Sequence, residues 1–517
     1  MHWTDVTAER IIKERGDKEE YVFESGITPS GFVHIGNFRE AFTTWAVAKA
    51  LRSKGKKVRV IHFWDDYDRF RKVPKNVPEE WKEHLGRPVA EVPDPWGCHK
   101  SYAHHFMDQF EDEIAKLGME VEFLHAERLY KEGFFENEIR TAIEKREEVR
   151  KVLNEIREQA KQEPLPKNWW PVYVYCEKCR KDNTEILSFD GEYVHYRCKE
   201  CGHEGKTHIR EGNVKMRWRV DWPARWAKLG IDFEPAGKDH HAAGGSFDTG
   251  SRIVRRIFGA EPPASLMYEF VSIKGQKGKM SGSKGNVILI SDLLEVMEPE
   301  LILFYYARYR PSKEIKIDLG LDLIKQYDEF DRTEDAYWEG KEFDEDLLRA
   351  YWIAMEPMPK EKPVRVSFST LVNLVQLPGM DEEKLRETLV RMGKIPEDIS
   401  EDDWKRVISR AERARNWVEK YAPENVRFRI LETMPEIDVP ENVKDGLERI
   451  AEAIERGVSE EELNAIIFET AKSVSTPKDF FPWIYRLFIG RDRGPRAAGF
   501  LLSMDREFVV KRLRLEE

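Results

Sequence analysis

The sequence predicts an α/β protein built on a parallel sheet, interrupted by a metal-binding insertion and followed by an all-helical C-terminal domain. Three observations carry this expectation. Strand, helix and strand patterns follow one another over residues 20–64, two Cys-x-x-Cys pairs break the pattern at 176–201, and strand patterns become scarce after about residue 290. A chain of 517 residues is also too long for one core and divides into several domains.

The elements follow in order. "EYVFE" (20–24) is a β-branched and aromatic run that leads into the turn-forming "SGITPSG". Phe38, Phe42, Trp45, Ala48 and Leu51 then recur at helical spacing and end at Gly55, a C-terminal stop. "KVRVIHFW" (57–64) is the next strand, so the three form a βαβ unit with a right-handed crossover. "MEVEFLHA" (119–126) reads as a further strand and 134–160 as a long charged helix. The sheet pattern resumes with "IDFEPAGKDHH" (231–241), a helix at 246–258 and the strand "MYEFVSI" (267–273), before a loop of Gly, Lys and Ser at 275–286. Ser291 is a candidate N-cap for "DLLEVM", and residues 402–422 place Trp404, Val407, Ile408, Ala411 and Val418 on one helix face.

Composition narrows the function classes. The chain has no apolar run long enough to span a bilayer, and its charge alternates from the first residues, so a cytoplasmic protein without a signal peptide or membrane partner is expected. A net charge of -11 gives no global attraction for nucleic acid, which local basic patches would have to supply. Charged residues at 35% and only six glutamines suit a thermophile.

Cys176-x-x-Cys179 and Cys198-x-x-Cys201, eighteen residues apart, have the spacing of a four-thiolate Zn2+ site. A closed site of that kind is structural. A second group, Asp94, Cys98, His99 and His105, is a mixed zinc site, a histidine-rich surface helix or a phosphate-contacting face.

In an open α/β sheet, ligands sit beyond the carboxyl ends of the strands, where a helix N-terminus favours anions. His34 stands there in "GFVHIGNFREA" (31–41), with Gly31 and Gly36 allowing close backbone approach. In "GQKGKMSGSKGN" (275–286), Lys277, Lys279 and Lys284 lie among small residues and suit a clamp on phosphate. No Walker A pattern occurs, which excludes an ordinary P-loop.

"PSGFVHIGN" and "KMSGSKGN" resemble, in order and separation, the HIGH and KMSKS signatures of class I aminoacyl-tRNA synthetases, and "GKDH" (237–240) resembles a nucleotide-binding element of that class. The variant HIGN, the form KMSGSKG, the four-cysteine insertion and the helical C-terminus together are similar to the archaeal-type class I lysyl-tRNA synthetase family along essentially the whole chain. Two positions depart from the signatures: Asn37 replaces the second histidine of HIGH, and Gly282 the second lysine of KMSKS.

The resemblance implies a Rossmann-type catalytic domain in two halves, 1–75 and 216–290, and an insertion at 76–215 that meets the tRNA acceptor end and carries the zinc module at 170–212. A connecting helical domain at 291–345 and an anticodon-binding domain at 346–517 would follow. It further implies ATP-dependent activation of L-lysine, with Mg2+, and transfer of lysine to the terminal 2′-hydroxyl of tRNA(Lys). His34, Asn37, Lys279 and Lys284 would be catalytic; Gly31, Gly36, Gly237, Asp239, Ser281 and Ser283 would bind ATP.

Selecting lysine requires a counter-charge for its ammonium and a wall for its stem. Strand ends offer Glu24, Gly26, Thr28, Asp65, His240 and Tyr268. Trp218, Trp222 and Trp226 form either a core stripe or, through Trp222, part of that wall. Nothing in the sequence points to a protein partner. The competing readings are a cysteinyl or glutamyl member of the same class and a non-catalytic zinc-ribbon protein that binds RNA.

Overall fold

The computed structural model describes residues 1–242, 244–275 and 287–516. These form two compact units, one of residues 1–293, 302–317 and 344–358, the other of residues 294–301, 318–343 and 359–517.

The first unit opens with a helix that the sequence pattern does not announce, α1 (Trp3–Arg15), and then the expected βαβ unit: β1 (Glu20–Ile27), α2 (Ile35–Arg52) and β2 (Lys57–Trp64). The strands pair in parallel over all eight residues, from Glu20 opposite Lys57 to Ile27 opposite Trp64. Helix α3 (Tyr102–Lys116) leads to β3 (Glu122–His125), which pairs with the far side of β2. On the free side of β1, parallel bridges join Phe23 to Phe233 and Phe233 to Ala264, and Ala236–Gly237 pairs with Met267–Tyr268. The sheet therefore grows outward from β1 in both directions, leaving the carboxyl end of β1 at its centre, where such sheets bind ligands. Phe38, Phe42, Trp45, Ala48 and Leu51 are all buried, as their spacing requires.

Several elements differ from expectation for local reasons. The long helix at 134–160 is two helices, Glu136–Glu144 and Arg146–Gln159, broken where Lys145 leaves helical geometry and its ammonium donates to Ile257 O at 3.0 Å. The helix near 246–258 ends in a wider π-helical turn at Val254–Phe258. The strand at 267–273 divides into Met267–Tyr268 and Val271–Ile273, the second pairing in parallel with Ile315–Ile317. The next helix starts at Ile290, so Ser291 lies inside it rather than capping it, and Leu289 N–H is taken by Asp292.

The insertion leaves and re-enters through an antiparallel pair, Val172–Val174 with Val214–Met216. Between them stands a three-stranded antiparallel sheet of Thr184–Phe189, Tyr193–Cys198 and Glu204–His208. Its buried residues Val194, Tyr196, Cys176 and Cys198 are continuous with the core around Tyr67 and Tyr175.

Among the described residues of the second unit the regular elements are all helices. Helix Glu401–Lys420, capped by Ser400, buries Trp404, Val407, Ala411, Ala414 and Trp417. It presents Arg410 to Glu298 and Asp331, and this buried pairing holds the Glu298 carboxyl down to about 2. Among the described residues no helix is long and apolar enough to cross a membrane.

Candidate active site

A cavity of about 230 Å³ opens at the carboxyl end of β1. Its described lining is Gly26 and Ile27 from β1, Val33, His34, Gly36, Asn37 and Glu40 from α2 and its approach, His62 from β2, Gly237, Asp239 and His240, and Tyr268, Phe270 and Val271. The structure thus brings together eight residues singled out from sequence: Gly26, His34, Gly36, Asn37, Gly237, Asp239, His240 and Tyr268. Gly31 lies in the turn before α2, outside this lining.

The opening of α2 explains why "HIGN" takes this form. His34 is the N-cap, and its Nδ1 accepts Gly36 N–H at 3.0 Å; Asn37, three residues on, returns its Oδ1 to His34 N–H at 3.3 Å. This reciprocal capping box satisfies two donors that a helix start otherwise leaves unpaired. It also fixes the chemistry. An accepting Nδ1 assigns the proton of the neutral imidazole to Nε2, and an accepting Oδ1 makes the Asn37 amide nitrogen the donor. Both residues are built to donate to oxygen.

Glu40, in the second turn of α2, is a charged cavity residue that sequence patterning overlooks. Its Oε1 accepts Gly26 N–H at 3.0 Å and its Oε2 accepts the Tyr268 hydroxyl at 2.6 Å. Burial pushes its carboxyl up to about 7, against the two hydrogen bonds and Arg225, which favour ionisation. Asn37, Glu40 and Thr44 share one helix face, the spacing from which Glu40 can be found.

Behind this wall lies a crowded set of charges. Arg225, almost fully buried, meets Glu24 at 3.3 Å and Asp65 at 2.5 Å. Glu234 takes the indole N–H groups of Trp222 and Trp226 at 3.0 and 2.5 Å. Neither oxygen of Glu24 has a hydrogen-bond partner, and desolvation raises the Glu24, Asp65 and Glu234 carboxyls. His62 is driven down to about 3 by burial and stays neutral. Four buried carboxyl groups, Glu24, Asp65, Glu234 and Glu40, thus lie within electrostatic reach of one guanidinium, the first two in contact with it, and Glu40 is the one of them that lines the cavity.

The remaining sequence candidates stand back from the lining. Glu24 and Asp65 are turned to Arg225, because Trp218–Leu229 packs that arginine beneath β1 and β2. Thr28 donates to Asp68 at 3.2 Å. Trp222 packs between Trp218 and Trp226 with its N–H on Glu234, although its ring centroid is 6.0 Å from that of His240. Lys277, Lys279, Ser281, Ser283 and Lys284 lie outside the described residues.

The family model for tRNA synthetases class I (K) matches residues 1–356. The chain is also 58% identical over its full length to the lysine–tRNA ligases of Pyrococcus horikoshii and Thermococcus kodakarensis, each covered in full. It is 37% identical to that of Borreliella burgdorferi, with 98% of both chains aligned. The chain belongs to the class I tRNA synthetases (K). ATP use follows from membership of that family.

Two further clusters in this class I synthetase bear on metal. The ligand atoms of Cys176, Cys179, Cys198 and Cys201 all lie within 4.8 Å of one another, with Cys176 Sγ 3.7 Å from Cys201 Sγ and Cys179 Sγ 3.6 Å from Cys198 Sγ. A tetrahedron of about 2.3 Å Zn–S bonds has edges of about 3.8 Å, so this donor set fits zinc. Asp94, Cys98, His99 and His105 also converge: Cys98 Sγ is 3.0 Å from His99 Nδ1, 3.3 Å from His105 Nδ1 and 3.4 Å from Asp94 Oδ2. These four do not line the cavity.

Proposed function

We propose that this class I synthetase joins L-lysine to tRNA(Lys), first forming lysyl-adenylate and pyrophosphate from ATP, then passing the lysyl group to the 2′-hydroxyl of the terminal adenosine. The observation that carries the choice of lysine is the excess of buried acids over the single guanidinium of Arg225, with Glu40 in the cavity lining: burial raises these carboxyls, and a cation beside them favours their ionised form. A cationic side chain completes this set, whereas a glutamate side chain meets a wall of its own sign, and a thiol leaves the excess unmet.

The amino acid lies with its ammonium toward Glu40 and Tyr268 and its stem along Gly26 and His240, while Glu24 and Asp65 supply the field behind. Trp222 and Thr28 support that wall from outside it. The carboxylate attacks the α-phosphate in line; the protein positions the two reactants and stabilises the charge that spreads over the phosphate oxygens. His34 Nε2–H and the Asn37 amide donate to those oxygens, Gly31 and Gly36 admit the nucleotide backbone, and Gly237 with Asp239 takes the ribose. Lys279 and Lys284 would stabilise the charge on the departing pyrophosphate, and Ser281 and Ser283 would bind ATP. Mg2+ bound to the phosphates would supply further charge neutralisation. Cys176, Cys179, Cys198 and Cys201 would hold a structural Zn2+ that orders the insertion, and Asp94, Cys98, His99 and His105 would hold a second. The insertion receives the acceptor end and the helical C-terminal region the anticodon.

Exchange of pyrophosphate into ATP with each of the twenty amino acids, with and without tRNA, tests the reading. Lysine-dependent exchange is expected. Exchange driven by glutamate or cysteine, or silence under both conditions, overturns it.

The capping role of His34 makes its contribution separable. His34→Ala is expected to lower kcat roughly a hundredfold, about 3 kcal/mol for one lost donor, and to cost about 1 kcal/mol of stability through the lost cap. His34→Asn keeps a capping acceptor, so thermal unfolding returns toward the parent value while kcat stays low. Recovery of both together would tie the histidine to folding alone.

A further inference from the structure

Arg39, between the cap and Glu40, points away from the cavity and is 2% exposed. Its guanidinium meets backbone carbonyls: Nη1 donates to Glu269 O at 2.6 Å and Phe270 O at 3.1 Å, and Nη2 to Lys313 O at 2.7 Å, Pro311 O at 3.1 Å and Arg310 O at 3.4 Å. Glu269 and Phe270 occupy the break between Met267–Tyr268 and Val271–Ile273, so the carbonyls that Arg39 holds sit between Tyr268 and Val271, both in the cavity lining. One helix thus supplies one cavity wall through His34, Asn37 and Glu40, and grips the opposite wall by its backbone through Arg39.

Burying a guanidinium carries a desolvation cost that an apolar side chain would avoid. What the arginine supplies instead is a rigid planar fork that fixes the distance between the segments it joins. The hydrogen bond from Tyr268 to Glu40 joins the same strand segment to α2 a second time.

We infer that Arg39 is a positioning residue that sets the spacing between the two cavity walls, and with it the length of the cationic amino acid the site accepts. The inference rests on the lysine reading above and deepens it. With Arg39 in place, the Glu40–Tyr268 pair stands at one depth, matched to a four-carbon stem; without it, the strand wall drifts relative to α2 and the pair no longer discriminates by one methylene.

The test compares kcat/KM for lysine and for ornithine, one methylene shorter, in pyrophosphate exchange by wild type, Arg39→Met and Arg39→Lys. Their ratio is independent of the fraction of protein that is folded, so a loss of stability alone cannot move it. The lysine preference is expected to fall about tenfold in Arg39→Met and about threefold in Arg39→Lys, whose ammonium retains some of the carbonyl bonds. Should Arg39→Met fail to fold, Arg39→Lys carries the same comparison. A second reading comes from Tyr268→Phe, which should reduce lysine use about tenfold in the parent and less than threefold in the Arg39 variants. An unmoved ratio, or a Tyr268→Phe effect of full size in every background, overturns this inference and leaves the ligase reading standing. A wild-type protein that activates no lysine overturns both.

Discussion

Replacing Glu40 by Gln is expected to lower kcat/KM for lysine roughly a thousandfold, about 4 kcal/mol, because the substrate ammonium is left desolvated without its counter-charge. Glutamine preserves the volume of the side chain; its Oε1 can still accept Gly26 N–H and its amide nitrogen can donate to the Tyr268 hydroxyl oxygen in place of the bond Glu40 accepts, so the fold should persist. Stability should in fact rise. The Glu40 carboxyl is pushed up to about 7 in the folded protein, against 4.5 as its ordinary value, so the folded state binds the extra proton between those limits and loses stability as pH climbs through them. Glu40→Gln removes that loss and should gain on the order of 1–3 kcal/mol above pH 7, with the difference from wild type vanishing below pH 4.5.

The same group sets the pH dependence of lysine binding. Tyr268 and Gly26 donate to Glu40, Arg225 favours its ionised form, the buried Glu24 and Glu234 oppose it, and His62 is neutral across the range. Below about pH 7 the wild-type KM for lysine should therefore climb about tenfold per pH unit, a limb that Glu40→Gln lacks. A KM that is flat from pH 8 to pH 5, or a glutamine variant with the parent KM, would remove Glu40 from recognition.

The contrast between Glu40 and Glu24 shows what the sequence could and could not supply. The βαβ unit was legible because hydrophobic period alone determines it, and the stretch His34–Asn37 because it stands at a helix mouth beyond the end of a strand, where such sheets take ligands. Asn37 is explained only by the capping box, a geometric relation between two side chains and two backbone donors. Glu24 lies at the carboxyl end of a strand and looks like a site residue; what removes it from the lining is Arg225, 201 positions later, and no local pattern announces that an arginine on a tryptophan-rich helix will be buried there. Glu40 has the opposite history. An acid inside an amphipathic helix reads as a solvated face until the neighbouring strand brings Tyr268 against it. Long-range pairing of charges, rather than local propensity, is what the sequence left open.

The cysteine module gives the other large expected effect. Cys179→Ser should abolish the order of the three-stranded sheet between Thr184 and His208 and release close to one equivalent of zinc per chain. A module of this size buries too little apolar surface to fold by itself, and its interior includes two of its own cysteines, Cys176 and Cys198. Metal binding to a four-thiolate site supplies on the order of 10 kcal/mol, which is folding free energy for the segment it closes. The loss should propagate in a defined direction. Arg180, in the first knuckle, donates to Glu91 at 2.9 Å and to the Tyr67 hydroxyl at 3.0 Å, so an unfolded knuckle also frees the end of the loop that follows β2. Limited proteolysis should accordingly open the chain within 176–208 first and near Glu91 second, while the second unit resists. On the second site proposed above, Cys98→Ser should release a separate equivalent of zinc without opening 176–208, since Asp94, Cys98 and His99 lie in the approach to α3 and His105 in its first turn. A Cys179→Ser protein that retains its full metal content and resists the protease as the parent does would show that the four sulfurs close on one another for packing alone.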